Sequence, residues 1–237
     1  MQFGKHRFAL FILSLTAIVA LVGGGTTYFL YTAAMEEQMK RLVEDVKSQA
    51  RLMESIARFD SQYSHDYPEG ARGATLQQIY GAYAEYPGFG GSGEYTLALQ
   101  EGGQIVFLLR LRHTGLDKPN SVGMESGLAE PMRRALAGQS GVMVGRDYRG
   151  VEVLAAYEPV AFLNLGLVVK IDMTEVRAPY VTAGLMILGF SLFAIIGGAG
   201  FFMWVFNFLT RSLAEKEQLL RQYMNASRIS SRCSITT

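Results

Sequence analysis

Two neighbouring segments of the chain combine arginine and tyrosine with strand-forming apolar residues, and such side chains can bind a small charged molecule. Val142–Tyr148 and Val151–Glu158 flank Arg149-Gly150, a dipeptide typical of a two-residue hairpin turn. That turn pairs Arg146 with Val153, and paired residues direct their side chains to the same face. Three candidate binding residues then share one face of the predicted hairpin: Arg146, Tyr148 and Tyr157.

The opposite face of the hairpin indicates which way these candidates point. It carries Asp147 beside Glu152, and two neighbouring carboxylates are tolerated only in solvent. The face with Arg146 is therefore predicted to be the inner one, where an arginine needs an anionic partner. That partner is either the carboxylate of a small anionic ligand or an internal acid, unless Arg146 lies at the rim of the sheet. Tyr148 and Tyr157 would supply an aromatic wall and hydroxyl groups.

Arg110 is a further candidate for ligand binding, on a different predicted strand. Glu94–Leu99 and Ile105–His113 have strand periodicity and flank Gly102-Gly103, a second two-residue turn. Arg110 and Arg112 share one face of the second of these strands, but both of its faces are apolar. The direction of Arg110 therefore stays open.

Catalytic and metal-binding sets are absent from the sequence pattern. No spacing in the middle of the chain suggests a triad, no two histidines stand four residues apart, and the single cysteine is Cys233. The glycine-rich stretch Pro87–Gly93 lacks the helix and the Lys-Ser/Thr pair that follow a phosphate loop. We expect no catalytic residue, metal, cofactor or nucleic-acid partner, and no enzymatic activity in the chain as it stands.

The elements that position these residues lie between two long uncharged runs. Phe8–Tyr31 contains 24 residues without a charge and Tyr180–Thr210 contains 31. About 20 apolar residues in a helix cross a bilayer, so transmembrane helices are predicted at 8–31 and 180–209. A cleaved signal peptide is the alternative for the first run, whose apolar part is longer than signal peptides have. Two buried helices of a soluble protein are the other alternative.

The charges outside the two runs predict the orientation. Residues 1–7 carry Lys5 and Arg7, and 210–237 carry five cations against two anions. Short basic segments beside a span stay in the cytoplasm. We therefore expect both termini in the cytoplasm, a lipid bilayer as a partner, and residues 32–178 exported.

The exported segment is predicted to be an α+β domain. Its pattern reads helix, helix, hairpin, helix, hairpin, strand, helix, which gives an antiparallel sheet with helices to one side. The first helix continues from the membrane span and carries a heptad seam of apolar residues: Met35, Met39, Leu42, Val46, Met53 and Ile56. Such a seam packs either against a partner helix in a homodimer or against the domain's own sheet.

Three features together resemble the bacterial Cache-type sensor, a PAS-like domain that transmembrane receptors hold outside the cytoplasm. They are the long helix that leaves the first span, the segment Gly141–Val160, and the closing strand Leu165–Asp172 before a helix into the second span. The resemblance covers about residues 32–205. It implies a PAS-like sheet with a long N-terminal helix. It also implies control of a histidine kinase, a diguanylate or adenylate cyclase, or a chemotaxis signalling rod.

The C-terminal end departs from those receptors. His6 is the only histidine predicted in the cytoplasm, and the Gly-Gly-acidic-Glu-Phe signature of diguanylate cyclases does not occur. We therefore expect a sensor that detects a small ligand and transmits a signal across the inner membrane, with its output domain absent from this chain. The alternatives are the N-terminal fragment of a receptor kinase or cyclase, through truncation or a frameshift, and a membrane anchor that binds another protein.

Overall fold

The computed structural model describes residues 2–109, 111–113 and 121–233. It has an α+β architecture with a long N-terminal helix, an antiparallel sheet and a long C-terminal helix, which confirms the predicted fold class at this level. The helices are α1 (Gln2–Tyr63), α2 (Gly70–Ala84), α3 (Glu130–Leu136) and α4 (Met173–Cys233), with a 3₁₀ turn at Ala161–Leu163. The strands are β1 (Glu94–Glu101), β2 (Gln104–Phe107), β3 (Ser121–Gly123), β4 (Gly141–Arg146), β5 (Glu152–Val160) and β6 (Leu165–Asp172).

The described strands form one six-stranded sheet in the order β3-β2-β1-β6-β5-β4, in which every neighbouring pair is antiparallel. The turn predicted at Gly102-Gly103 is confirmed, since Glu101 pairs with Gln104 across it. The prediction that β2 extends to His113 is wrong, because β2 ends at Phe107. Strand β3 was not predicted, since its three residues are too few to show a period.

The two faces of the sheet are covered by different helices. On one face, α1 buries Leu42, Val46, Ala50, Met53 and Ala57 against the sheet, together with Ile79 of α2. On the other face, α3 contributes Met132 and Ala135 to a second cluster of buried residues. The heptad seam of α1 therefore packs on the domain's own sheet, the second of its two predicted environments.

The chain divides into two compact units. One unit spans Thr27–Thr182 and contains the sheet, and the other combines residues 1–26 with residues 183–237. Two of the described helical segments, Ile12–Tyr63 and Met173–Ser212, each contain an 18-residue stretch apolar enough to cross a membrane, and these stretches have mean hydropathies of 1.7 and 2.2. Within the second unit a Cβ atom on Gly23 would lie 2.9 Å from Cγ2 of Ile187, so the two apolar helices approach closely there.

Candidate ligand-binding site

The hairpin of β4 and β5 differs from its prediction in the length of its turn. The backbone N–H of Asp147 donates to the carbonyl of Val151 at 3.0 Å, and the last strand pair is Arg146 with Glu152. The side chain of Asp147 stabilises this longer turn, because its Oδ1 accepts hydrogen bonds from the backbone N–H groups of Arg149 and Val151. The predicted register, in which Arg146 pairs with Val153, is therefore wrong by one residue.

A shift of one residue moves a side chain to the other face of a sheet. Arg146 is accordingly exposed beside Glu152, while the buried Tyr157 and the half-buried Tyr148 belong to the cluster around α3 on the opposite face. The structure does not bring Arg146 together with the two tyrosines, so the burial from which an anionic ligand was predicted is not present. Arg110 lies outside the described residues.

The face that carries Tyr148 contains a buried charged group that the sequence pattern did not single out. Lys170 on β6 is only 2% exposed, and its Nζ forms ion pairs with Glu94 on β1 at 3.0 Å and with Asp147. The Nζ atom also lies 4.2 Å from the ring centroid of Tyr148, a cation–π distance. The lysine within the apolar run of β6 could have predicted a buried ion pair from the sequence, since a buried cation requires acidic partners.

Arg149 connects the same group to the start of α4. Its guanidinium binds Asp147 through Nε at 2.6 Å and binds Asp172, the last residue of β6, through Nη2. Burial disfavours the charge of Asp147, but Lys170 and Arg149 outweigh that effect and lower the pKa of its carboxyl group. We call Glu94, Asp147, Arg149, Lys170 and Asp172 the ion cluster.

The ion cluster is closed to ligands of any size beyond a water molecule. The void beside Lys170, Tyr148 and Thr96 has a volume of about 10 Å³, which is the room of about one water. Burial and the adjacent Glu94 carboxylate raise the pKa of the Tyr148 hydroxyl group, so this tyrosine stays neutral. The cluster has three acidic and two basic side chains, and each of them has an opposite charge within ion-pair distance.

A larger cavity lies at the C-terminal end of α2, with a volume of about 300 Å³. We call it the aromatic cavity, and the residues that line it are Tyr83, Ala84, Glu85, Tyr86, Pro87, Gly88, Glu94, Tyr95, Leu109 and Arg112. The rings of Tyr83, Tyr86 and Tyr95 contact one another edge to face, with centroid separations of 5.4 to 5.9 Å. Glu94 belongs both to this cavity and to the ion cluster.

Two of these tyrosines also contact α1 through their hydroxyl groups. Tyr83 donates a hydrogen bond to Oε1 of Gln49 at 2.9 Å, and Tyr95 donates to the carboxylate of Asp45. Burial and the charge of Asp45 raise the pKa values of both hydroxyl groups, that of Tyr83 to about 12. The rings therefore face a cavity while their donors are already used by α1.

The glycine-rich loop that follows α2 binds the first turn of α4. The backbone N–H groups of Gly91 and Ser92 donate to the Glu175 carboxylate at 2.8 and 2.7 Å, and the Ser92 hydroxyl donates at 2.5 Å. Gly90 permits this approach, since a Cβ atom there would lie 2.5 Å from Oε1 of Glu175 and its φ is +56°. We call Gly90, Gly91, Ser92 and Glu175 the Glu175 clamp.

The clamp replaces the capping arrangement expected at the start of α4. Asp172 and Glu175 have the spacing of a capping pair, but Asp172 binds Arg149 and Glu175 binds the loop. Burial disfavours the charge of Glu175, and the hydrogen bonds from Ser92 and Gly91 outweigh it, so the pKa of this carboxyl group is lowered.

Arg112 joins the aromatic cavity to the clamp. It lines the cavity, and its guanidinium donates to three carbonyl groups of the loop, those of Phe89 at 3.4 Å, Gly90 at 3.3 Å and Gly93 at 3.0 Å. The loop therefore has one surface in the cavity, at Gly88, and another on Glu175. A molecule that displaces Arg112 or Gly88 would change the contacts between the loop and Glu175 in the first turn of α4.

Metal binding receives no support from the part of the chain that the structure describes, which contains no group of three or more His, Cys, Asp or Glu side chains suited to a metal ion. No protein-family model matches the sequence, and no curated protein matches it either. What the site does is therefore inferred from its own residues.

Proposed function

We propose that this protein is a two-pass sensor of the bacterial inner membrane, which binds a small molecule in the aromatic cavity and transmits the event through α4. One observation carries the proposal. The loop of residues 88–93 lines the cavity on one side and binds Glu175 on the other, and α4 continues from Glu175 into the apolar segment that is long enough to cross a membrane.

The PAS-like, Cache-type assignment belongs to this proposal. The long helix α1 packed along one face of an antiparallel sheet supports it, as does a last strand that leads directly into α4. The predicted output through a kinase, a cyclase or a chemotaxis rod remains a prediction, and so do the absence of enzymatic activity and the receptor-fragment and anchor alternatives.

Ligand binding is tested with the full chain in detergent micelles, screened by thermal shift against amines, carboxylates, sugars and nucleosides. We expect one chemical class to raise the melting temperature and to change hydrogen exchange in the first turn of α4. Tyr86→Leu should abolish the shift, because Tyr86 lines the cavity, whereas Tyr80→Leu, on the preceding helix α2 and outside the lining, should keep it. Binding that leaves exchange at α4 unchanged would contradict a sensor and favour a simple binding protein.

The proposed topology has both termini in the cytoplasm and the sheet outside. Reporter fusions at Glu101, the last residue of β1, and at Arg221, beyond the second apolar segment, should report opposite compartments. Equal reports from the two fusions would contradict a two-pass arrangement.

The proposed active form is a homodimer that meets along the distal part of α1. Leu52, Phe59 and Tyr63 recur at heptad spacing on this helix and are 55%, 61% and 70% exposed. A second copy anchored in the same membrane would bring the same face of its own α1 to this position. Single cysteines at Leu52 and Phe59 should crosslink, whereas a cysteine at the buried Leu42 should not. Crosslinking at Leu42 alone would contradict this interface.

A further inference from the structure

The walls of the aromatic cavity present negative charge and ring surface to a ligand. Glu85 contributes an exposed carboxylate, Glu94 contributes a buried one that is paired with Lys170, and Arg112 is the one cation among the described lining residues. Helix α2 ends at Ala84, so the carbonyl groups of its last turn point toward the lining residues that follow it. The C-terminal end of a helix carries a partial negative charge, which adds to that of the carboxylates.

Two of the three tyrosine hydroxyl groups of the cavity, and its arginine, already donate hydrogen bonds to other parts of the protein. The hydroxyl groups of Tyr83 and Tyr95 donate to Gln49 and Asp45 on α1. The guanidinium of Arg112 donates to carbonyl groups of the glycine-rich loop. An anionic ligand needs donors in this position, and it would also meet the carboxylates of the wall.

From these contacts we propose that the aromatic cavity binds an organic ammonium ion, a class of ligand opposite in charge to the one predicted from Arg146. The face of a tyrosine ring attracts a cation, and a small group of aromatic rings beside a carboxylate recognises alkylated ammonium groups. A volume of about 300 Å³ is enough for a ligand of this kind. The inference rests on the proposed function, since it names the ligand class of the same cavity.

The binding step has a physical consequence for the loop. A cation next to Glu94 competes with Lys170 for that carboxylate, which lies 3.0 Å from the Lys170 ammonium group. It also repels the guanidinium of Arg112, which binds the carbonyl groups of Gly90 and Gly93. Both effects act on the residues that adjoin the Glu175 clamp, and an anionic or neutral ligand would produce neither.

The test uses three probes of nearly equal shape and different charge. They are choline, its neutral carbon isostere 3,3-dimethyl-1-butanol, and the anion 3,3-dimethylbutanoate. Each is titrated calorimetrically into the full chain in dodecyl maltoside micelles, which contain no ammonium headgroup, and butylamine serves as a primary-ammonium probe. We expect at least one of the two ammonium probes to bind about tenfold more tightly than the neutral isostere.

Three variants test whether the ammonium probes bind in the aromatic cavity. Tyr86→Leu should weaken ammonium binding by about tenfold through the loss of one ring face, and Glu85→Gln should weaken it less because Glu85 is exposed. Tyr80→Leu, on the preceding helix α2 and outside the lining, should bind as the parent does. Retained affinity in both Tyr86→Leu and Glu85→Gln would overturn the site.

The remaining outcomes distinguish a failure of the ammonium inference from a failure of the proposed function. Equal or tighter binding of the neutral or anionic probe, lost in Tyr86→Leu, would overturn the ammonium inference and leave the cavity as the sensing site. Absence of saturable binding by both ammonium probes would overturn the inference as well. Ammonium binding that depends on Tyr86 but leaves hydrogen exchange at Glu175 unchanged would support the ligand class and contradict the proposed transmission.

Discussion

The ion cluster and the aromatic cavity share Glu94 but differ in what they leave open. In the cluster each described charge has an opposite charge within ion-pair distance, and the adjoining void is about 10 Å³. In the cavity the space is about 300 Å³, and aromatic rings form much of its wall. A group of charges in a strand-rich domain is therefore not by itself a binding site. Here the charges of the cluster are paired with one another, and the proposed site lies at the cavity, where ring surface remains open.

The same comparison explains how one side can influence the other. Glu94 accepts the Arg112 backbone N–H at 3.0 Å through Oε2 and faces Lys170 through Oε1. The cluster then reaches Asp172 through Arg149, and the cavity reaches Glu175 through the glycine-rich loop. Two series of contacts therefore lead from Glu94 to the junction of β6 and α4. One ends at Asp172 and the other at Glu175.

The largest effect is expected from Lys170→Met, which removes the central cation of the ion cluster. Glu94 and Asp147 would lose their shared partner while still buried, and loss of one partner from a buried pair costs about 3–5 kcal/mol of unfolding free energy. The measurement is thermal or denaturant unfolding of the full chain in micelles, followed by the strand signal in circular dichroism.

Lys40→Met is the matched control for that change. Lys40 also forms an ion pair, with Glu36 at 2.7 Å, but the two side chains are 64% and 70% exposed. An exposed pair contributes far less than a buried one, because water screens the two charges. Equal losses in Lys170→Met and Lys40→Met would show that the ion cluster is not buried and would remove the contrast with the cavity.

An intermediate effect is expected from Glu175→Gln, which weakens the clamp without changing its size. Hydrogen bonds to a charged group are worth about 1.5–3 kcal/mol, and the amide keeps one acceptor, so we expect a loss of about 1–2 kcal/mol. Because the pKa of Glu175 is lowered in the folded state, its contribution is present above the ordinary carboxyl pKa and is lost as the pH falls through the lowered value. The variant should lack that part of the acid dependence.

Glu152→Gln is the control for Glu175→Gln, because it removes a different contact between the sheet and α4. Glu152 binds Arg177 of this helix at 3.0 Å, but both side chains are about half exposed, so its loss should change the unfolding free energy by less than about 0.5 kcal/mol. Hydrogen exchange in the first turn of α4 should increase in Glu175→Gln and stay unchanged in Glu152→Gln. The reverse order would contradict the role assigned to the loop.

The features of the fold that follow local rules were predictable from the sequence, whereas the register of the β4–β5 hairpin was not. The seam of α1 and the turn at Gly102-Gly103 follow local rules of period and backbone geometry, and both are confirmed. The register of β4 and β5 was predicted wrongly because a side chain, Asp147, forms the turn. The dipeptide Arg149-Gly150 alone favours a two-residue turn, which is shorter than the turn that forms.

The site was missed for a related reason. Tyr83, Tyr86 and Tyr95 meet only when α2 and β1 are folded against each other, and no spacing rule connects a helix residue to a strand residue across a glycine-rich loop. Glu175 stands three residues after Asp172, a spacing typical of a local capping pair. Its partner lies 84 residues earlier in the chain, and long-range partners of this kind are set by the tertiary fold.

A small stabilisation is expected from Glu158→Gln on the α1 side of the sheet. Burial raises the pKa of this carboxyl group against the opposing charges of Lys47 and Arg51, and among the described residues its Oε2 has no hydrogen-bond partner. A raised pKa means that the folded state binds a proton more readily than the unfolded state, so stability increases as the pH falls into that range. At neutral pH Gln should raise stability by less than about 1 kcal/mol, and a loss would contradict the buried, unpaired oxygen.

The smallest effect is expected at Arg146, the residue on which the sequence pattern placed most weight. Arg146 is exposed at the end of β4, and no ion pair joins it to the described part of the chain, so Arg146→Ala should change the unfolding free energy by less than about 0.5 kcal/mol. Arg149→Ala, three residues further on, removes two ion pairs of the cluster and should cost several times more. Ammonium binding should be unaffected by Arg146→Ala, since Arg146 does not line the aromatic cavity. A stability loss in Arg146→Ala that matches Arg149→Ala would restore the inward-facing register, and a selective loss of anion binding would return the site to the hairpin.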